Sequence, residues 1–249
     1  MSGRFHARPR LLTRRHKACS PARIVPRPRR AHRGFVIAAA AVQRKLRMLC
    51  LHGYHGSADV LRRQLAAFAA PLAELADFEY IDAPSLAVGD FGWWHAVDAE
   101  RRYDGWARTR EAIVAAFARR GPFDGVLGFS QGAALAGLLV GLRAPDGTPT
   151  PERPLAFGVA ILASGFPARD PELAQLYARA DSYALPSLHL VGRADAVVPA
   201  ASTRALADRF ARPTIVEHAG GHVVPATAAV LEAARALLIS FSTTHQEPS

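Results

Sequence analysis

The sequence predicts an α/β fold, a mostly parallel sheet with helices on both faces, and three observations carry that expectation. Short apolar runs rich in β-forming residues alternate with helix-competent segments from Leu46 almost to the C-terminus, the pattern of a sheet covered on both sides. At the centre lies Phe123 to Ala136, where Gly128-Phe129-Ser130-Gln131-Gly132 joins a buried-strand pattern to an Ala-rich helix. This is the G-x-S-x-G arrangement in a strand–turn–helix context. Finally, Ser130, Asp195 and His222 each fall just past the end of a strand, where ligands gather in such sheets.

In chain order, Leu46 to Leu51 reads as the first strand, followed by the glycine-flanked turn His52-Gly53-Tyr54-His55-Gly56. A helix should start at Ala58 with Ser57 as its N-cap, since a serine oxygen can accept from the free amides of a first turn. Phe78 to Ile81 is a second strand, Phe91 to His95 an irregular aromatic segment, and Tyr103 to Arg119 a helix. The elbow strand and its helix follow, and then Arg143 to Pro154, whose Pro, Gly and Thr content reads as a surface loop. Strands at Phe157–Leu162, Ser187–Val191 and Thr214–Glu217 alternate with helices near Pro171–Ala180, Ala200–Phe210 and Pro225–Ser240.

A chain of 249 residues suits one core of this kind. The net charge of +10 is unevenly spread. Residues 1–47 hold 14 of the 31 Lys and Arg and no acidic residue, leaving 17 basic against 21 acidic side chains, a net charge of −4, in residues 48–249. The basic region is therefore read as a disordered leader over 1–45, ahead of a catalytic domain over 46–242 and a flexible tail over 243–249. An organellar transit peptide, a loosely export-like signal or an upstream stretch without a folded role are the three readings of that leader, the last being preferred. No aromatic residues interleave its basic ones in the manner of a stacking surface, so no nucleic-acid partner is expected. Its longest apolar run, Phe35 to Val42, is too short to span a bilayer. Two cysteines, Cys19 and Cys50, make neither a disulfide framework nor a zinc site, which fits a reducing, cytoplasmic setting, or an organelle if the leader is a transit peptide. Oligomeric state is left open.

A serine hydroxyl needs a base to take its proton and a carboxylate to orient that base. Of the carboxylates after Ser130, only Asp195 sits in a turn directly after an apolar strand. Among the later histidines, His222 follows Gly220-Gly221 in a loop past a strand, with His218 as the alternative; His189 lies inside a strand and His245 in a polar end. Two backbone amides should receive the developing oxyanion, those of Gln131 at the helix start and Tyr54 after the first strand. His52 reads as a loop-shaping residue. Trp93, Trp94, Phe166, Val197 and Val223 are candidates to line a substrate pocket, with simple packing the competing role for each. This chemistry needs no metal or organic cofactor.

Together these blocks resemble the serine-hydrolase family typified by the yeast family of serine hydrolases and the human ovarian-cancer-gene-2 esterase. The likeness rests on residues 121–134 and on Leu51-His52-Gly53-Tyr54, Trp93-Trp94, Ser164-Gly165-Phe166, Gly192-Arg193-Ala194-Asp195 and Gly220 to Pro225, in order, over roughly 46–240. It implies an α/β-hydrolase fold with little or no cap and hydrolysis of small-molecule carboxylic esters, of medium or long acyl chain in some members. The runner-up is thioester release, or an acyl-protein or lysophospholipid hydrolase using the same residues. A non-catalytic binding protein on the same fold is the reading from a different class. Two departures stand out: His55-Gly56-Ser57 follows the first turn where the family often has Gln or Asn, and the leader has no counterpart.

Overall fold

The computed structural model describes residues 44–87, 90–99 and 101–245. Its centre is a six-stranded sheet, all of whose pairings are parallel. In chain order the elements are β1 (Leu46–Leu51), α1 (Ala58–Ala69), β2 (Ala76–Ile81), the short strands β3 (Ser85–Ala87), β4 (Asp90–Phe91), β5 (His95–Val97) and β6 (Arg102–Asp104), α2 (Trp106–Arg120), β7 (Gly125–Phe129) and α3 (Gln131–Gly141). Then come β8 (Val159–Ala163), α4 (Pro171–Ala174), β9 (Ser187–Gly192), α5 (Ala200–Ala207), β10 (Pro213–His218) and α6 (Ala228–His245). The sheet order is β10-β9-β8-β7-β1-β2, so β7 and its elbow lie centrally.

Alternation along the central strands splits the core in two. Leu49, Leu51 and Val126 face one layer with Ile113 of α2, Leu206 of α5 and the apolar side chains of α3. Met48, Cys50, Leu127 and Phe129 face the other, with Leu61, Leu65 and Phe68 of α1 and Val230, Ala234 and Leu238 of α6. Helix α3 is buried along its whole length, which is why its sequence is small and apolar all round rather than amphipathic. Ser57 caps α1 as expected, its Oγ accepting from the Val60 amide at 3.2 Å.

Several boundaries differ from the sequence reading. Residues 1–43 lie outside the described residues, as does Cys19, but Arg44, assigned to the leader, forms a two-pronged pair with Asp124 at 2.7 Å on each oxygen. Helix α6 continues through Thr243 and Thr244 to His245, residues read as tail. Tyr103 belongs to strand β6, not to a helix, and the helix starts at Trp106. The aromatic segment is organised into small antiparallel pairs, β3 with β4 and β5 with β6, and no helical cap is inserted there among the described residues. Arg143 is buried instead of lying in a surface loop, because its guanidinium donates to the carbonyls of Ser182 at 2.9 Å and Phe157 at 3.4 Å. Cys50 is a buried free thiol. No helix among the described residues is long and apolar enough to cross a membrane.

His189 sits fully buried in β9, and burial pushes its pKa from 6.5 down to about 3. Between those values the unfolded chain takes up a proton that the folded chain excludes, so stability is present above pH 6.5 and falls as pH drops through that window. The expected slope approaches about 1.4 kcal/mol per pH unit. Urea midpoints measured from pH 7 to 4.5 should fall more steeply for the native sequence than for His189→Leu; parallel curves would remove this histidine as the cause.

Candidate active site

Ser130 closes β7 and opens α3 with φ +57 and ψ −120, a left-handed conformation that costs a non-glycine residue about 1–3 kcal/mol. Its neighbours explain why the turn holds. A Cβ on Gly128 would stand 2.2 Å from the Gly132 carbonyl oxygen, and one on Gly132 would stand 2.1 Å from that of Leu51. The first glycine thus admits the tight turn, and the second admits the close approach of β1. The Ser130 amide donates to Ala163 O at 2.9 Å, and Ser130 O accepts from Ala133 and Ala134, fixing the elbow to β8 and to its own helix.

Asp195 and His222 reach the same rim from the ends of β9 and β10. Their loops run side by side, with Arg193 N donating to His218 O at 2.9 Å and Ala194 N to Gly220 O at 3.2 Å. The Asp195 side chain is 1% exposed. Burial raises its pKa, but amide donation from Val198 and Val197, together with His222 and the nearby Ser164 hydroxyl, outweighs this and holds the carboxyl below its ordinary value. Ser164 Oγ is close enough to favour the charged carboxylate, yet makes no bond of hydrogen-bond geometry. An ionised carboxylate only accepts, so His222 Nδ1 donates to Asp195 Oδ2 at 2.8 Å. The other ring nitrogen is then a lone-pair acceptor, and Ser130 Oγ donates to His222 Nε2 at 3.0 Å. Phe129 packs against the imidazole, ring centroids 4.7 Å apart.

The alternative histidine, His218, is buried at the end of β10 with Nε2 lacking a partner, and burial lowers its pKa. It makes no hydrogen bond to Ser130 or Asp195 among those the structure shows. Its neighbour in kind, His52, is fully buried, with Nε2 accepting from Ala83 N at 3.0 Å and Nδ1 donating to Gly53 O at 2.7 Å, a shape-holding role for the first loop.

A cavity of about 470 Å³ opens beside Ser130. Trp94, Phe166 and Val197 line it, together with Tyr54, Gln131, His95, Tyr103, Arg169 and Ser202. Trp93 does not line it: fully buried, it donates from Nε1 to His52 O at 2.8 Å, and its carbonyl accepts from Thr109. Val223 also stands apart from this cavity, half exposed on the His222 loop. The Gln131 amide is in the first turn of α3, where backbone N–H groups have no intrahelical acceptor. Tyr54 lies in the turn packed against the serine, since a Cβ on Gly53 would meet Ser130 Cβ at 3.2 Å.

Two contacts escaped sequence reasoning. The Gln131 carboxamide accepts from Trp93 N at 3.1 Å and donates to Trp94 O at 2.9 Å, tying the aromatic segment to the elbow. Tyr54 Oη and His95 Nδ1 meet at 2.7 Å across the cavity mouth. Neither has a signal in spacing, as each joins residues 37–41 positions apart. Among the described residues, no group of three or more His, Cys, Asp or Glu is arranged to hold a metal ion.

A central parallel sheet with a serine on its elbow, an imidazole on the serine and a carboxylate on the imidazole defines a serine hydrolase of the α/β-hydrolase fold. The profile of the family described as "Serine hydrolase (FSH1)" matches residues 42–234, and this chain belongs to that family. It is 33% identical over 214 residues to Esterase OVCA2 of Xenopus tropicalis, covering 76% of this chain and 90% of that protein. It is 32% identical over 206 residues to Esterase CG5412 of Drosophila melanogaster, covering 75% and 71%. Among solved structures, esterase PE8 superposes with a TM-score of 0.57 at 25% identity over 81% of this chain and 95% of that one. The Zea mays acyl-protein thioesterase 2 shares the fold, with a TM-score of 0.53 at 19% identity over 80% and 94%.

Proposed function

We propose that this enzyme hydrolyses small-molecule carboxylic esters through an acyl-enzyme on Ser130, with His222 as the base and Asp195 as its orienting group. The observation that carries the assignment is the continuous relay from Ser130 Oγ to His222 Nε2 at 3.0 Å and from His222 Nδ1 to Asp195 Oδ2 at 2.8 Å. As Ser130 Oγ attacks the carbonyl carbon, its proton passes to Nε2, and Asp195 stabilises the imidazolium that results. The carbonyl oxygen becomes an oxyanion received by the amides of Gln131 and Tyr54. Collapse breaks the bond to the alcohol, which leaves with the proton from Nε2. Water then repeats the sequence on the acyl-enzyme, releasing the acid and restoring the serine.

Trp94, Phe166 and Val197 supply the apolar wall for the substrate. Residues 48–249 carry a net charge of −4, which argues against a nucleic-acid partner. The buried free thiol of Cys50 and the scarcity of cysteine support a cytoplasmic setting. Labelling with a fluorophosphonate probe, competed by parallel series of acyl esters and acyl thioesters, tests the reading. Competition by esters at lower concentration than by matched thioesters is the expected result. The reverse order makes the enzyme a thioesterase, and absence of labelling removes the nucleophile.

A further inference from the structure

Beside the Ser130 cavity lies a second one of about 580 Å³, bordered largely by charged side chains: Arg102, Asp104, Arg108 and Glu172, with Trp106 and Leu173. The two cavities have two lining residues in common, Tyr103 and His95. Tyr103 borders both and is only 6% exposed, so it is packed where the two meet. It is held on every side. Its amide donates to Asp170 Oδ2 at 3.0 Å, and its hydroxyl oxygen accepts from Arg169 N at 2.9 Å. Its ring stacks on Trp94 at 4.6 Å and 5°, and the Trp94 carbonyl is in turn fixed by Gln131. Strand β6 carrying it pairs with β5, Tyr103 opposite Ala96.

We propose that Tyr103 is the specificity-determining end wall of the acyl pocket, setting the longest acyl chain the Ser130 cavity admits. The inference rests on the acyl-enzyme reading above. A flat ring anchored at its backbone, its face and its hydroxyl behaves as a fixed partition rather than a swinging gate. Truncating the ring adds its own volume to the Ser130 cavity, against the face of Trp94, and that is the room a longer chain enters. A chain that meets the ring must coil back or leave the nucleophile, so added methylenes stop contributing to transition-state binding at that length. Each methylene that finds room in an apolar pocket is otherwise worth about 10-fold or more in kcat/KM.

The test compares p-nitrophenyl esters from acetate to palmitate on the full chain and on Tyr103→Ala, Tyr103→Leu and Tyr103→Phe, all sharing one leaving group. Tyr103→Ala should raise the kcat/KM ratio of dodecanoate to butyrate by about tenfold or more. Tyr103→Leu, which keeps apolar bulk against Trp94, should shift it in the same direction by less and decides the matter if the alanine variant does not fold. Tyr103→Phe loses the hydroxyl anchor but keeps the ring stacked on Trp94, and should hold the ratio close to native. An unchanged ratio in folded Ala or Leu variants that still take the fluorophosphonate on Ser130 overturns the proposal while leaving the catalytic assignment intact. Loss of labelling in the native protein would instead remove both.

Discussion

Ser130→Ala abolishes ester turnover and fluorophosphonate labelling, with kcat falling by about 10⁶-fold, while the protein stays folded. The magnitude follows from the unit behaviour of a nucleophile and its base: with the oxygen gone, what survives is the modest help of amide donors and binding. Folding should be spared because the substitution keeps Cβ and deletes one hydroxyl at a site that is 9% exposed. The elbow is held by backbone bonds that do not involve Oγ, from Ser130 N to Ala163 O and from Ala133 and Ala134 to Ser130 O. Labelling, kcat and a thermal melt on one preparation check all three parts. Persistent labelling would show that another residue is the nucleophile.

Asp195→Asn should lower kcat by about 10⁴-fold with little change in fold. The reason is specific to this site. Oδ1 of Asp195 accepts from Val197 N at 2.9 Å and Val198 N at 2.8 Å. An asparagine must keep its carbonyl oxygen there, so its NH₂ group turns toward His222 Nδ1. The imidazole can then only accept at Nδ1 and carries its proton on Nε2, the wrong tautomer for taking one from Ser130. His222→Ala should be at least as damaging, because it removes the imidazole proposed as the base. His218→Ala is the discriminating control. If it abolished turnover while His222→Ala retained it, the base would have been assigned to the wrong loop.

Much of this was legible in the chain because local rules produce it. Gly128 and Gly132 announced the elbow, Ser57 its helix cap, and Asp195 and His222 stood out as the polar residues in turns after apolar strands. The aromatic segment was different. Trp93 and Trp94 are adjacent and chemically identical, yet one is locked behind His52 and the other faces the cavity. Without periodicity, sidedness there has no sequence signal. Tyr103 likewise carried a helical reading until strand pairing with β5 took it. Val223, read as a pocket-lining candidate, is instead 50% exposed and apart from the cavity.

The sequence by itself pointed to the parallel sheet, the G-x-S-x-G turn and the candidate partners of its serine, Asp195 with His222 or His218, because backbone sterics and the apolar patterning of strands act over a few residues. Only the tertiary structure decided that Gln131 clamps the aromatic segment, that Trp94 lines the cavity while Trp93 does not, and that Tyr103 borders it. Those outcomes depend on hydrogen bonds and ring contacts between segments distant along the chain, and such contacts exist only after the sheet has brought its strand ends to one rim.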